Sequence, residues 1–224
     1  MTGRTRMRRT ICLVLTVALA VMAAGCSVSE ERIKKAEGFY TEGLAHMNTD
    51  RQRAFVNFQK AVGENPKHKQ AHYNLAHLYM LQGKPKEAEQ ELKDALRIDS
   101  DYSEAHNYLG NLLAMRGQSR EAIAHYRAAL TNPLYETPDV ALYGLGQALE
   151  QEGDMQAAAD AFEDALNVSP STVPPAKLHL ALGRAYYRLG NDTKARDSLL
   201  RVTGLDKGGE DAAMAGQLLE RLTP

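Results

Sequence analysis

The side chains best suited to chemistry in this 224-residue chain are its seven histidines, 28 carboxylates and two cysteines. Metal binding needs histidine, cysteine or carboxylate ligands converging at close spacing, as in HExxH or paired CxxC motifs. No such pattern is present. His72 and His77 are five apart and point from different faces of a helix, while His72 and His106 are 34 apart, a spacing that recurs along the chain. Nucleophile elbows of the GxSxG type, phosphate-binding P-loops and GxGxxG turns are also missing. The acid pairs Glu30-Glu31 and Glu210-Asp211 fall at the ends of predicted helices, where carboxylates complement the helix dipole. The chain therefore reads as a non-enzyme, with no catalytic residue, no metal, no cofactor and no small-molecule substrate.

The cysteines carry a different message. Arg4, Arg6, Arg8 and Arg9 precede an apolar run from Ile11 to Ala24, interrupted only by Thr16. Fourteen residues are too few to cross a hydrocarbon core of ~30 Å, which takes about 20. A basic start, a short apolar centre and small residues at its end are the marks of a secretory signal. The residues around Arg8-Arg9 do not support a twin-arginine signal. The run ends in Ala23-Ala24-Gly25-Cys26, which resembles the lipobox of bacterial lipoproteins, with Ala23 where Leu is commonest. An ordinary cleavage site beside a stray Cys is the alternative. Against it, Cys12 lies inside the removed segment, so Cys26 has no thiol with which to form a disulfide.

The lipobox resemblance implies that Cys26 becomes the first mature residue and carries the acyl chains, palmitate among them. With Ser27 next, it implies sorting to the outer membrane, anchored by lipid on the periplasmic face. Several acyl chains anchor stably where one binds only marginally. Residues 1–25 hold four Arg and no acid, so their removal leaves 23 basic and 28 acidic residues, a net charge of −5. Neither anionic lipid nor nucleic acid is attracted by that balance. Residues 26–35 are expected to form the lipidated Cys and a short tether. The stretch from Ser27 to about Glu31 would reach roughly 15–18 Å.

The body is built on repetition. His72 and His106, Gly83 and Gly117, Ala88 and Ala122, and Ala95 and Ala129 are each 34 apart, the tetratricopeptide period. The next steps are 36 (Gly117 to Gly153, Ala122 to Ala158) and 37 (Gly153 to Gly190, Ala158 to Ala195). Ala54, Phe58 and Ala61 supply an earlier repeat in which Asn48-Thr49-Asp50 replaces the Gly turn. Five repeats result, near 36–68, 69–102, 103–138, 139–175 and 176–209, followed by a capping helix within 210–224. Without Trp and with only 14 aromatic residues, the core must come from Ala and Leu, strong helix formers. The expected fold is all-α, a right-handed tetratricopeptide superhelix.

Each repeat is a helix pair. In the second, helix A runs from His72 to Leu81, Gly83 stops it, and helix B runs from Lys86 to Ile98. Neither helix buries its apolar face alone, so neighbours must stack. Positions 2, 5, 9 and 12 of helix A line the groove in solenoids of this kind. The candidate partner-binding residues are therefore Tyr73, His77 and Met80, then Asn107 and Asn111, then Tyr143 and Gln147, then Tyr187. Gln70, Glu104, Ala114, Val140, Glu150, Lys177, Leu180 and Arg184 occupy the remaining groove positions. Tyr and Met beside amides suit a partly apolar segment of another protein. Tyr73 and Tyr143 either meet that partner or pack between adjacent A helices.

One segment breaks the repeat. Asn132-Pro133-Leu134-Tyr135-Glu136-Thr137-Pro138-Asp139 carries two inserted residues between repeats three and four. Its prolines forbid a continuous helix, and Asp139 is placed to cap the next one. Leu134 and Tyr135 must pack locally or be offered to a partner, forming a candidate partner-binding loop. With Ala141-Leu142-Tyr143-Gly144-Leu145-Gly146 this stretch resembles that of type IV pilus biogenesis/stability lipoproteins, the pilotins of the pilus secretin. The lipobox and the repeats agree with that family. The resemblance implies an outer-membrane lipoprotein scaffold that binds secretin subunits and promotes their localisation and assembly. The alternative is an adaptor of the same architecture for a protease, a cell-wall hydrolase or outer-membrane assembly machinery.

Overall fold

The computed structural model describes residues 28–222. The segment read as a signal peptide, Cys26 read as the lipidation site, and the last two residues of the capping segment lie outside the described residues. Among the described residues there are eleven helices and no strand. They are α1 (Glu30–His46), α2 (Arg51–Glu64), α3 (Lys69–Leu81), α4 (Pro85–Ile98), α5 (Ser103–Met115) and α6 (Ser119–Ala129). Then follow α7 (Pro138–Glu152), α8 (Met155–Leu166), α9 (Pro175–Arg188), α10 (Asp192–Leu205) and α11 (Glu210–Arg221). None of them is long and apolar enough to cross a membrane.

The chain divides into two compact units at Ala71. In the first, α1 begins at Glu30, inside the stretch expected to be tether. Ser29 Oγ accepts from Arg32 N at 3.4 Å, and Glu30 and Glu31 fill the first turn. A serine cap followed by acids is a helix start, so α1 extends closer to Cys26 than the repeat register indicated. Arg32 donates to Glu64 Oε2 at 3.0 Å and to the Gly63 carbonyl at 2.6 Å, fastening the start of α1 to the end of α2. Asp50 Oδ1 accepts from Arg53 N at 3.0 Å, so the Asn48-Thr49-Asp50 turn starts α2 with a side-chain cap.

The second unit carries the regular repeats. Gly83, Gly117, Gly153 and Gly190 have φ of 71, 74, 85 and 70°, the left-handed conformation that turns helix A into helix B. Within the pairs α5–α6, α7–α8 and α9–α10 a B-helix side chain enters a space left by a glycine of helix A. A Cβ on Gly146 would fall 2.4 Å from the Phe162 ring, and one on Gly110 2.8 Å from that of Tyr126. Pairs α5–α6, α7–α8 and α9–α10 stack in order, with α6 against α7 and α8 against α9. The A helices α5, α7 and α9 also touch in series. α11 closes this end, with Ala215 and Leu222 buried and Arg196 donating to the Leu222 carbonyl at 2.5 Å.

The histidines follow the repeat register. His72 Nδ1 lies 2.6 Å from Glu91 Oε2; one repeat on, His106 Nδ1 lies 2.9 Å from His125 Nδ1. His106 Nε2 faces the Ser100 carbonyl at 2.9 Å, so it carries a proton, and in the neutral pair His125 Nδ1–H is the donor between the rings. Burial holds His125 below the ordinary histidine range, helped by His106 and Lys93 and opposed by Glu121. The folded state thus takes up its proton less readily than the unfolded chain. That contribution to stability is present above about pH 6.5 and is lost as pH falls. Urea midpoints at pH 7.5 and 5.5 are expected to differ more in the wild type than in His125→Gln.

Candidate partner-binding surface

The A-helix face of the second unit has two chemically distinct parts. The first is aromatic. Tyr73 on α3 is half-buried, its ring edge-on to Tyr108 at 5.9 Å and tilted against Tyr102 at 5.7 Å. His77 is 6.2 Å from the Tyr108 ring. Met80 packs partly buried against the same core. Burial and the nearby Glu104 carboxylate raise the Tyr73 hydroxyl pKa above its ordinary value. Tyr73 therefore fills space between adjacent A helices while keeping an exposed edge. Asn107, one turn before Asn111, is half-buried.

The second part is a cavity of about 640 Å³ among α5, α6, α7 and α9. It brings together Asn111 and Gln147 of the sequence candidates with Ala114, Glu150 and Arg184 of the other groove positions. Tyr126 rises into it from helix α6, only 2% exposed, and donates to Asn111 Oδ1 at 2.7 Å; burial pushes its pKa up to about 12. Gly110 and Gly144 leave the room for that ring. Arg184 donates to Glu150 Oε2 at 2.8 Å, and Glu150 is almost wholly buried. Its second oxygen, Oε1, is screened from solvent and receives no hydrogen bond from the described residues. Ser119 Oγ donates to Gln151 Oε1 at 2.7 Å.

Three lining residues from one repeat column were not among the candidates: Met115, Gln151 and Arg188. They share one repeat column with Leu81, a single step beyond position 12. The register contained the column, with Arg188 as its cation, but the 75% exposure of Met115 is visible only in the structure. Tyr143 stands beside the cavity. Its hydroxyl accepts from Gln147 Nε2 at 3.0 Å, its ring lies 5.8 Å from that of Phe162, and Lys177 Nζ sits 5.2 Å above it. Tyr187 is partly buried against the core of this unit.

The proline-bounded loop needs correction on two points. Tyr135 is 7% exposed, and burial pushes its hydroxyl up to about 12, so it is part of the core and not offered to a partner. Leu134 beside it is 84% exposed. The backbone turns at Asn132, whose Oδ1 accepts from Leu134 N at 2.9 Å. Asp139 does not cap α7, which starts at Pro138 with no side-chain cap. Its buried carboxylate accepts from Thr172 N at 2.5 Å, Val173 N at 2.7 Å and Ser171 Oγ at 3.3 Å, binding the loop before α9.

Elsewhere, His72, Glu91 and Asp94 each offer one atom within 4.8 Å of the others. Glu91 is taken by His72, and Asp94 by Gln90 and Arg97.

Three models, each described as a tetratricopeptide repeat, match residues 45–112, 109–175 and 176–208. The chain is 26% identical over 240 residues to the type IV pilus assembly protein PilF of Pseudomonas aeruginosa, covering 96% of this chain and 95% of that one. A solved structure of P. aeruginosa PilF superposes with a TM-score of 0.67 at 23% identity, over 87% of this chain and 95% of the other. PilW, described as a widely conserved type IV pilus biogenesis factor, superposes at 0.69 and 20% identity, over 84% and 90%. YrrB, described as a tetratricopeptide protein with an unusual peptide-binding site, superposes at 0.68 and 22% identity, over 84% and 95%. The repeat models together span most of the chain, which belongs to the tetratricopeptide-repeat family as an all-helical superhelix, similar at low identity to PilF and sharing its fold with PilW.

Proposed function

We propose that the protein is an outer-membrane lipoprotein of type IV pilus biogenesis, a non-catalytic scaffold that binds secretin subunits and promotes their localisation and assembly. The observation that carries this reading is the 26% identity to PilF along 96% of the chain, a match that takes in the whole repeat array. The lipobox-like Ala23-Ala24-Gly25-Cys26 supplies the anchor, and the A-helix face supplies the partner surface. A lipid tether confines the scaffold to the plane in which a secretin ring forms. Confinement raises the effective concentration of its partner without any new contact.

A deletion strain complemented with the wild type or with Cys26→Ala tests both halves of the proposal. The deletion is expected to lose surface pili and heat-stable secretin multimers from the outer-membrane fraction. The wild type restores both, whereas Cys26→Ala leaves the multimers outside that fraction and takes up no radiolabelled fatty acid. Normal multimers in the deletion strain would overturn the secretin role, and equal labelling of both proteins would overturn the lipid.

A further inference from the structure

We propose that a second cavity, lined by α8, α9 and α10, binds a small organic carboxylate between His179 and Arg201. The proposal depends neither on the cavity among α5, α7 and α9 nor on the scaffold role.

The repeat register shows what is missing at this place. His72, His106, Leu142 and His179 occupy one column of helix A, separated by the 34-, 36- and 37-residue steps of the repeats. By the same steps, Glu91, His125, Ala161 and Ser198 occupy one column of helix B. His72 Nδ1 meets the Glu91 carboxylate at 2.6 Å, His106 Nδ1 meets His125 at 2.9 Å, and Leu142 with Ala161 makes the position apolar. In the last repeat the histidine returns without its partner. His179 Nδ1 is screened from solvent and has no hydrogen bond from the described residues. Where a larger side chain than Ser198 would reach, there is a cavity of about 350 Å³. A ring nitrogen kept from water and left unpaired is costly, so a bound acceptor is favoured there.

Charge identifies that acceptor. The third acid beside His72 and Glu91 is Asp94, and its column runs through Ala128 and Asp164 to Arg201. A carboxylate beside His72 is therefore replaced by a guanidinium beside His179. Among the described residues Arg201 forms no ion pair. The remaining charges of the cavity are spent or peripheral. Lys194 donates to the Tyr186 hydroxyl at 2.9 Å and lies 3.8 Å from Glu163, to which Tyr186 donates, so these three hold one another. Asp197 stands on the exposed edge. One imidazole and one guanidinium are left to receive a ligand, and the two oxygens of a carboxylate match them. Glu91 supplies that same group in the second repeat. Leu166 and Leu182 line the cavity as well, so a carboxylate with a short apolar chain fits it better than a bare inorganic anion.

Binding is coupled to a proton. Burial holds His179 below the ordinary histidine range, helped by Arg201. A carboxylate that accepts from Nδ1–H and offsets the guanidinium favours the charged ring, so it binds more tightly as pH falls.

Sodium butyrate is titrated into the purified full-length chain and followed by NMR, with butanol, butylamine and inorganic phosphate as comparison ligands. Butyrate is expected to saturate one site, about tenfold more tightly than any of the three, and more tightly at pH 6.0 than at pH 8.0. Arg201→Gln should abolish the preference, whereas Asp197→Asn, which removes a charge of the opposite sign, should strengthen butyrate binding about threefold. Ser198→Glu supplies the carboxylate from the chain itself. It should block butyrate and raise the pH at which the His179 Cε1–H resonance titrates. Both Arg201 and Asp197 are exposed, so their variants decide the matter even where Ser198→Glu does not fold. No saturable butyrate binding, equal binding of phosphate or butylamine, or a preference that survives Arg201→Gln overturns the proposal. Affinity independent of pH removes His179 from the site and overturns it equally.

Discussion

Phe162→Ala is expected to lower the unfolding free energy by about 3–5 kcal/mol, measured as a shift of the urea midpoint. Phe162 is 0% exposed and fills the core between α7 and α8, touching Tyr143 at a ring separation of 5.8 Å and pressing on the backbone of Gly146. Truncation leaves a ring-sized hole between α7 and α8 that closely packed backbones cannot close. The reverse change is informative too. A Cβ at Gly146 would stand 2.4 Å from Phe162 Cε1, so Gly146→Ala overpacks the same contact and should cost about 1–3 kcal/mol despite the gain in helix propensity. The two changes share one space. Gly146→Ala combined with Phe162→Leu should therefore be more stable than the sum of the single effects, by a coupling of about 0.5–3 kcal/mol. Strict additivity would show that the ring and the glycine do not compete. Because repeats unfold with their neighbours, the loss should appear as an earlier transition of the second unit rather than a uniform shift.

The glycine and aromatic columns were legible in the sequence because they follow from one local geometry repeated with a nearly constant period. The helix pairs, the Gly turns and the identity of the core face come from that geometry alone, and the structure places Gly83, Gly117, Gly153 and Gly190 in the same backbone conformation. What the sequence left open lies where one repeat departs from the next. A tyrosine in a proline-bounded loop can go in or out, and only the tertiary context buries Tyr135 while leaving Leu134 exposed. Asp139 carried the sequence mark of a helix cap, yet its acceptors serve backbone N–H groups 33 and 34 residues away, a distance that local pattern cannot read. Arg188 and Gln151 sit one step past the standard groove positions. They matter because α5, α7 and α9 converge on a cavity that no single repeat contains. Ser29 carries the mark of a cap ahead of Glu30 and Glu31, but the lipobox-like run drew residues 26–35 into the expected tether.

Asp139→Ala is expected to cost about 2–4 kcal/mol, because it removes the acceptor for two backbone donors at once, while Ser171 Oγ keeps the Val173 carbonyl at 2.7 Å. Val173 is buried, so its orphaned N–H gains no water in exchange; Thr172 is exposed and recovers part of its loss. Asp139→Asn should cost less than Ala. It keeps one oxygen for the Thr172 and Val173 amides, but it puts an N–H₂ donor where Oδ1 now has no hydrogen-bond partner. The expected order of urea midpoints is wild type, then Asn, then Ala, with hydrogen exchange at the Thr172 and Val173 amides accelerated in that same order. Equal midpoints for wild type and Ala would show that the loop holds its shape without the carboxylate. The consequence reaches the binding surface, since this loop delivers the chain into α9, and α9 carries Arg184 and Arg188. An Asp139→Ala protein still folded at room temperature should therefore show a weaker Glu150–Arg184 coupling although both residues are intact. A Glu150–Arg184 coupling energy unchanged by Asp139→Ala would confine the disturbance to the start of α9, and a reduced one would carry it along the helix.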